Sequence, residues 1–291
     1  MSDSHGGTGA AAPVQGGRET TPLPPRAAID VKHVILVLSG KGGVGKTTVS
    51  VNLAMALASH GHATGLLDLD IHGPNVAKML GLEGQVLPVL GNHLHPVRVT
   101  GNLRVVSMAF LLSDRSAPVI WRGPLKMQAI RQFLTEVEWG TLEYMVVDLP
   151  PGTGDEALSI AQLAPNLRGA VIVTTPQQVS TLDAGKAISF VRKMEMPMLG
   201  IIENMSGFVC PKCGEKTDLF GSGGGEQLAR EAGVPFLGSI PLDPAVVRSG
   251  DEGRPFILAD RDSPTRRAME QVVEALIRRL DEPAGMTPGG E

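Results

Sequence analysis

The run GKGGVGKTT (residues 40–48) follows, after Ser39, the apolar segment His33-Val34-Ile35-Leu36-Val37-Leu38, and it decides how the chain is read. Gly40, Gly45, Lys46 and Thr47 fall in the register G-x-x-x-x-G-K-[ST]. In such a loop the backbone N–H groups, here from Gly42, Gly43, Val44, Gly45 and on to Thr48, are free to wrap a polyphosphate. Lys46 then meets the outer phosphates, and the Thr47 hydroxyl is placed for Mg2+. The loop stands between a strand-like run and a helical stretch, residues 47–59, whose N-terminus adds positive potential. A nucleotide polyphosphate with Mg2+ is the expected ligand.

Lys41 is a further lysine just inside the first glycine, where most such loops carry no charge. A solvated loop side chain is its plain reading. The form GKGGVGKT resembles the deviant Walker A of the SIMIBI class of ATPases, and that resemblance implies a lysine that crosses a dimer interface to touch the partner's nucleotide.

With 291 residues, 42% hydrophobic and 19% charged, the chain can bury one sizeable core, and one domain is expected. A formal net charge of −4 and a pI near 6.0 argue against nucleic acid as a partner. There is no apolar signal region and no long apolar span, so no membrane partner is expected and the cytoplasm is the expected compartment. Aromatic content is only 3%, which leaves the core to Val, Ile, Leu, Ala and Met, as in sheets covered by helices. That favours an α/β fold.

Residues 1–28, rich in Gly, Ala, Pro and Thr, read as a disordered tail, residues 29–280 as the folded domain and residues 281–291 as a flexible end. Residues 63–67 read as a second buried strand that delivers Asp68 and Asp70 to the crevice where open α/β sheets bind ligands. Residues 83–99 read as a β-rich excursion. In 124–137, Leu125, Ile130, Phe133, Leu134 and Val137 recur at close to helical spacing, and Trp121 before them reads as a packing residue. Residues 144–148 form an apolar strand closing on Asp148, the rigid carboxylate that Mg2+ needs opposite a phosphate loop. Strands at 170–174, 198–203 and 234–240 then alternate with helices at 180–194, 226–232 and 264–280. That alternation predicts a parallel sheet with right-handed crossovers.

Cys210-Pro211-Lys212-Cys213-Gly214 falls in the loop after the strand at 198–203. C-P-x-C-G resembles the metal knuckles of zinc ribbons and rubredoxin-like sites, with two thiolates on a tight turn. A tetrahedral metal or an Fe–S cluster takes four ligands, and this chain has two cysteines in all. Its seven histidines all lie at or before His95. A second copy of the chain is the simplest source of the missing thiolates, so a centre shared on a two-fold axis is expected. A [4Fe–4S] cluster heads the readings, ahead of zinc, a redox disulfide and inert thiols.

Three features stand together: the loop with Lys41, the acidic pieces DLDIHGPN (68–75) and VVDLPPGTGD (146–155), and NMSGFVCPKCG (204–214). Their combination resembles the Mrp/ApbC family of P-loop ATPases that carry Fe–S clusters, over roughly residues 31–280. GSGGGEQLA (221–229) and IPLDPAVVRSGDEGRP (240–255) agree with it. The resemblance implies one P-loop NTPase domain, an α/β fold with a mostly parallel sheet and helices on both faces. It implies a homodimer that binds ATP and Mg2+, hydrolyses ATP slowly and holds a bridging, transferable [4Fe–4S] cluster through Cys210 and Cys213. Upstream stands a cluster scaffold and downstream stand apo Fe–S acceptor proteins. By the same resemblance Asp70 is the switch I aspartate that helps place the attacking water, Asp148 the Walker B aspartate, and Asn204 the asparagine that reads adenine. From the residues alone, Asn204 is a polar group at a strand end, suited to a base edge or to capping a turn. Many bacterial relatives in that family carry a small N-terminal domain, for which the segment before residue 31 leaves no room.

Two other classes share the loop. A positioning ATPase of the MinD/ParA kind in its membrane form ends in a basic amphipathic helix, whereas this chain runs Arg278-Arg279-Leu280-Asp281-Glu282-Pro283 near its end. A reductase-type iron protein takes its cluster cysteines from two loops far apart in sequence. Here both come from one turn, which suits a cluster that is handed over.

Overall fold

Strand β1 (Val31–Leu38) is buried at every position except Lys32, as a central strand covered on both faces requires. The computed structural model describes residues 27–71, 73–91, 93–111, 123–152, 154–210, 212–213, 215–258 and 263–282. After β1 come α1 (Lys46–Ser59), β2 (Thr64–Asp68), α2 (Val76–Met79), β3 (Val89–Leu90), β4 (His93–Leu94), β5 (Val97–Arg98) and β6 (Leu103–Ser107). The middle of the chain holds α3 (Gly123–Thr135), β7 (Leu142–Asp148), α4 (Asp155–Leu163), β8 (Leu167–Thr174), α5 (Gln178–Lys193) and β9 (Met198–Val209). Last come β10 (Lys216–Thr217), α6 (Gly224–Ala232), β11 (Phe236–Leu242), α7 (Pro244–Asp251) and α8 (Pro264–Asp281).

The main sheet runs β10-β9-β8-β1-β7-β2-β6-β5, and β11 also pairs with β9. Its pairs are parallel except those made by the short β5 and β10. Helix α1 packs on β7 and β2 with α8 beside it, while α5 covers β8 and adjoins α6 over β9. Helices therefore lie on both faces, as expected. Register does the positioning: Val37 and Asp68 both stand opposite Asp148. The carboxyl ends of the three strands β1, β7 and β2 thus meet at one crevice edge.

Several expectations need correction. Leu125 is 50% exposed, and α3 instead buries Ala129, Ile130, Phe133 and Leu134. Strand β9 does not stop at Glu203, because Phe208 pairs with Thr217 on β10 and with Leu242 on β11. The cysteines therefore follow a strand within a β9–β10 hairpin, not a free loop. Helix α7 was not foreseen at all. Its signal is Asp243, whose carboxylate accepts the Ala245 amide at 2.8 Å, followed by Pro244 in the first turn. Ala27 is buried and donates to the Leu163 carbonyl at 2.8 Å, so packing begins ahead of residue 29. Trp121, residues 1–26 and residues 283–291 lie outside the described residues.

The other tryptophan, Trp139, is a packing residue. It is 2% exposed and donates its indole N–H to the Phe133 carbonyl at 2.9 Å. A Cβ at Gly65 would come within 3.1 Å of its ring, so the absent side chain makes room for it. Trp139→Ala is expected to lower stability by about 3–5 kcal/mol in urea unfolding. It should leave nucleotide affinity within about twofold, because the ring sits at the opposite end of the sheet from the crevice. A lost affinity at unchanged stability would contradict this placement.

Candidate functional site

Between β1 and α1 the loop takes the shape its glycines allow. Gly43 and Gly45 have φ of +80° and +81°, in the left-handed region. Helix α1 begins with no side-chain cap and no acid in its first turn, so its first N–H groups face outward for an anion. The loop is braced from three sides. The Ser39 hydroxyl donates to the Lys41 carbonyl at 2.9 Å, and the Gly152 amide donates to the Ser39 carbonyl at 2.9 Å. A Cβ on Gly40 would lie 2.2 Å from the Asp183 carbonyl group, so only glycine lets α5 approach there. On the third side the Asn204 side-chain amide donates to the Val44 carbonyl at 2.9 Å.

Beneath the loop sits a buried carboxylate with three donors. Asp148 is fully buried and receives the Lys46 ammonium at 2.7 Å, the Thr47 hydroxyl at 2.7 Å and the Ser50 hydroxyl at 2.7 Å. Lys46 is itself only 6% exposed, so the ion pair is a buried one that is costly to break from either side. Asp68, brought alongside by the strand register, is also fully buried and accepts the Ser107 hydroxyl at 2.7 Å and the Asp70 amide at 3.1 Å. Burial, reinforced by the nearby negative charge of Asp148, pushes Asp68 up to about 8. The ammonium pairs with Asp148 alone, so Asp68, buried beside that charge, keeps its proton near neutral pH. Neither Ser50 nor Ser107 was singled out in the sequence. Ser50 lies one helical turn after Lys46, a spacing that could have found it.

Lys41, Gly42, Gly43, Val44, Gly45, Lys46, Thr47, Thr48, Asp70 and Asn204 all line one cleft of about 410 Å³. Asp148 lies beneath its floor, and Gly40 stands behind the loop. Asp70 follows the end of β2 by two residues, and its carboxylate accepts the Gly73 amide at 3.2 Å. The far wall was missed: Pro241, Leu242 and Asp243 at the end of β11, with Val246 and Val247 on α7, close the cleft. Of these, Pro241, Leu242, Val246 and Val247 are apolar and suit the face of a base.

Cys210 and Cys213 do not line this cleft. Both are free thiols, Cys213 exposed and Cys210 partly so. The backbone N–H groups of Cys213 and Lys212, and then the Cys213 thiol, hold the Cys210 thiol below its usual range. The Cys210 amide donates to the Glu215 carbonyl at 2.9 Å and closes the turn. Among the described residues no group of three or more His, Cys, Asp or Glu side chains could hold a metal.

The raised Asp68 has a defined sign in stability. Its folded-state value lies above the unfolded one, so its contribution is full below the unfolded value and is lost as pH rises toward about 8. In chelator-treated protein free of nucleotide, wild-type Tm should therefore fall from about pH 5 to about pH 8 relative to Asp68→Asn. Parallel melting profiles of the two proteins across that range would refute a buried Asp68 that keeps its proton beside Asp148.

Comparison with known proteins places this geometry. Residues 30–277 match the ParA family model described as NUBPL iron-transfer P-loop NTPase. An iron-sulfur cluster carrier protein of Saccharolobus solfataricus is 49% identical over 252 residues, covering 87% of this chain and 85% of that protein. The cytosolic Fe-S cluster assembly factor CFD1 of Eremothecium gossypii is 50% identical over 230 residues, covering 77% of this chain and 82% of that one. Among solved structures, a nucleotide-binding protein of Archaeoglobus fulgidus in complex with ADP has a TM-score of 0.69 at 38% identity and covers 82% of this chain and 91% of that chain. MinD of Aquifex aeolicus has a TM-score of 0.61 at 24% identity, covers 84% of this chain and 97% of that chain, and shares the fold. With a phosphate loop on a buried aspartate and relatives about half identical over most of both lengths, the chain belongs to the ParA family of NUBPL-type iron-transfer P-loop NTPases.

Proposed function

We propose that this chain binds ATP with Mg2+, hydrolyses the ATP slowly, and as a homodimer carries one [4Fe–4S] cluster between two cysteine turns. It receives the cluster from a scaffold and hands it to apo acceptor proteins in the cytoplasm. The supporting observation is the pair of accessible thiols on the β9–β10 turn, outside the nucleotide cleft and without a further metal-binding side chain among the described residues. Two thiolates are half of a cluster's ligands, and a two-fold axis doubles them. The names of the relatives, a cluster carrier and a cluster assembly factor, point the same way.

In this reading the loop amides and the N-terminus of α1 hold the phosphates, and Lys46 leaves Asp148 to meet them. Thr47 and Asp148, hard oxygen donors that already touch at 2.7 Å, fit a bound Mg2+. When bound, that ion neutralises charge on the outer phosphate oxygens. Asp70 at the cleft edge orients the attacking water, and Lys41 reaches the partner's nucleotide across the dimer. Asn204 and the α7 wall take the adenine.

Anaerobic reconstitution tests this. Wild-type dimer should hold about four iron and four sulfide per two chains. Cys210→Ala and Cys213→Ala should each lose the cluster and still bind a fluorescent ATP analogue, whereas Lys46→Ala should lose the analogue and keep the cluster. Stoichiometric zinc without visible absorbance, or a cluster retained in both cysteine variants, would overturn the carrier reading. Lipid recruitment or salt-sensitive DNA binding with ATP and no iron would point to a positioning ATPase.

A further inference from the structure

One strand, irregular between Asn204 and Phe208, joins the phosphate loop to the cysteine turn. Strand β9 carries Asn204, whose amide grips Val44, and Cys210 follows its last residue. Gly45 makes that grip possible, since a Cβ there would lie 2.2 Å from the Asn204 nitrogen.

Immediately before Asn204 stands Glu203, a wholly buried carboxylate that no reading of the sequence singled out. It accepts the Gly223 amide at 2.9 Å, the Gly225 amide, and the Ser206 hydroxyl at 2.5 Å. Those two amides belong to the start of α6, where unpaired N–H groups favour an anion. The strand is pinned at this residue. Just beyond the pin the backbone turns left-handed twice, at Met205 with φ of +57° and at Gly207 with φ of +68°. For a methionine that conformation is rare and persists only where surroundings over-determine it. The surroundings here are Asn204 fastened to Val44, Ser206 fastened to Glu203, and the Met205 methyl, which a Cβ at Gly45 would meet at 3.6 Å. Past the joint, Phe208 is paired on both sides and the Cys210 amide is bonded to Glu215, so the hairpin behaves as a unit.

We infer that residues 204–207 couple the nucleotide cleft to the cysteine turn. A nucleotide that displaces Val44 and Gly45 pulls Asn204 against the pinned Glu203, the left-handed joint at Met205 and Gly207 takes up the rotation, and the β9–β10 hairpin re-aims both thiols. The inference rests on the nucleotide and cluster sites proposed above.

The test uses the full chain, reduced and metal-free, and follows iodoacetamide alkylation of Cys210 and Cys213 by mass spectrometry. Rates are compared with and without Mg2+ and a non-hydrolysable ATP analogue, at analogue concentrations shown by a fluorescent ATP to saturate each protein. In wild type the rates should change by about fivefold or more. In Asn204→Ala and Gly207→Ala the same ratio should collapse to within about twofold of unity. Should Gly207→Ala fail to fold, Ser206→Ala, which removes only the hydroxyl on Glu203, replaces it. A saturated wild type with unchanged rates would overturn the coupling. Variants that respond like wild type would overturn this route, as would a response that grows with protein concentration in every variant and so reports burial by a partner chain. Failure of wild type to bind the analogue would overturn the nucleotide reading and the coupling with it.

Discussion

A single buried carboxylate organises the nucleotide site. Asp148 ends the strand beside β1, and three donors from α1 close on it: the Lys46 ammonium and the Thr47 and Ser50 hydroxyls. Left without partners, a charge at that depth would cost several kcal/mol, so the contacts fix where α1 starts and hence where the phosphate loop must run. The register then sets Asp68 beside Asp148, and burial together with that neighbouring charge leaves Asp68 holding its proton. Loop, helix and two strands are thereby tied through one small volume.

The two proposed sites differ in completeness. Phosphate loop, Thr47–Asp148 pair and apolar wall come from one chain and meet in one cleft. The cysteine turn presents two sulfurs on an outward hairpin, with backbone N–H groups that favour a thiolate at Cys210. In the proposed reading the missing half of the metal site comes from a second copy of the chain. The strand from Asn204 to Val209 is the short path between them, and its one non-glycine left-handed residue, Met205, lies on that path.

Much of this was legible before any coordinates. The run from Val34 to Leu38 is apolar at every position because both faces of β1 are covered, and the loop motif carries its chemistry in consecutive residues. Asp148 was legible for the same reason, at the end of an unbroken apolar strand. What escaped were bonds made across the fold. Asn204 reaches Val44 over a separation of 160 residues, and nothing local distinguishes it from a turn-capping asparagine. Glu203 reads as the polar end of a strand, yet it is sealed under α6. Ser206 and Gly207 look like the start of a loop, and they hide the continuation of β9 because pairing with β10 and β11 overrides their weak strand preference. Helix α7 was too short for a periodic signal, although Asp243-Pro244 marked its start.

The most direct test of this account is a crystal structure of the chain with Mg2+ and a non-hydrolysable ATP analogue. The expected result is Lys46 moved off Asp148 onto an outer phosphate oxygen, with Thr47 and Asp148 facing the metal and the base between Asn204 and α7. A nucleotide bound elsewhere, or bound in the cleft with the Lys46–Asp148 pair still closed, would contradict it.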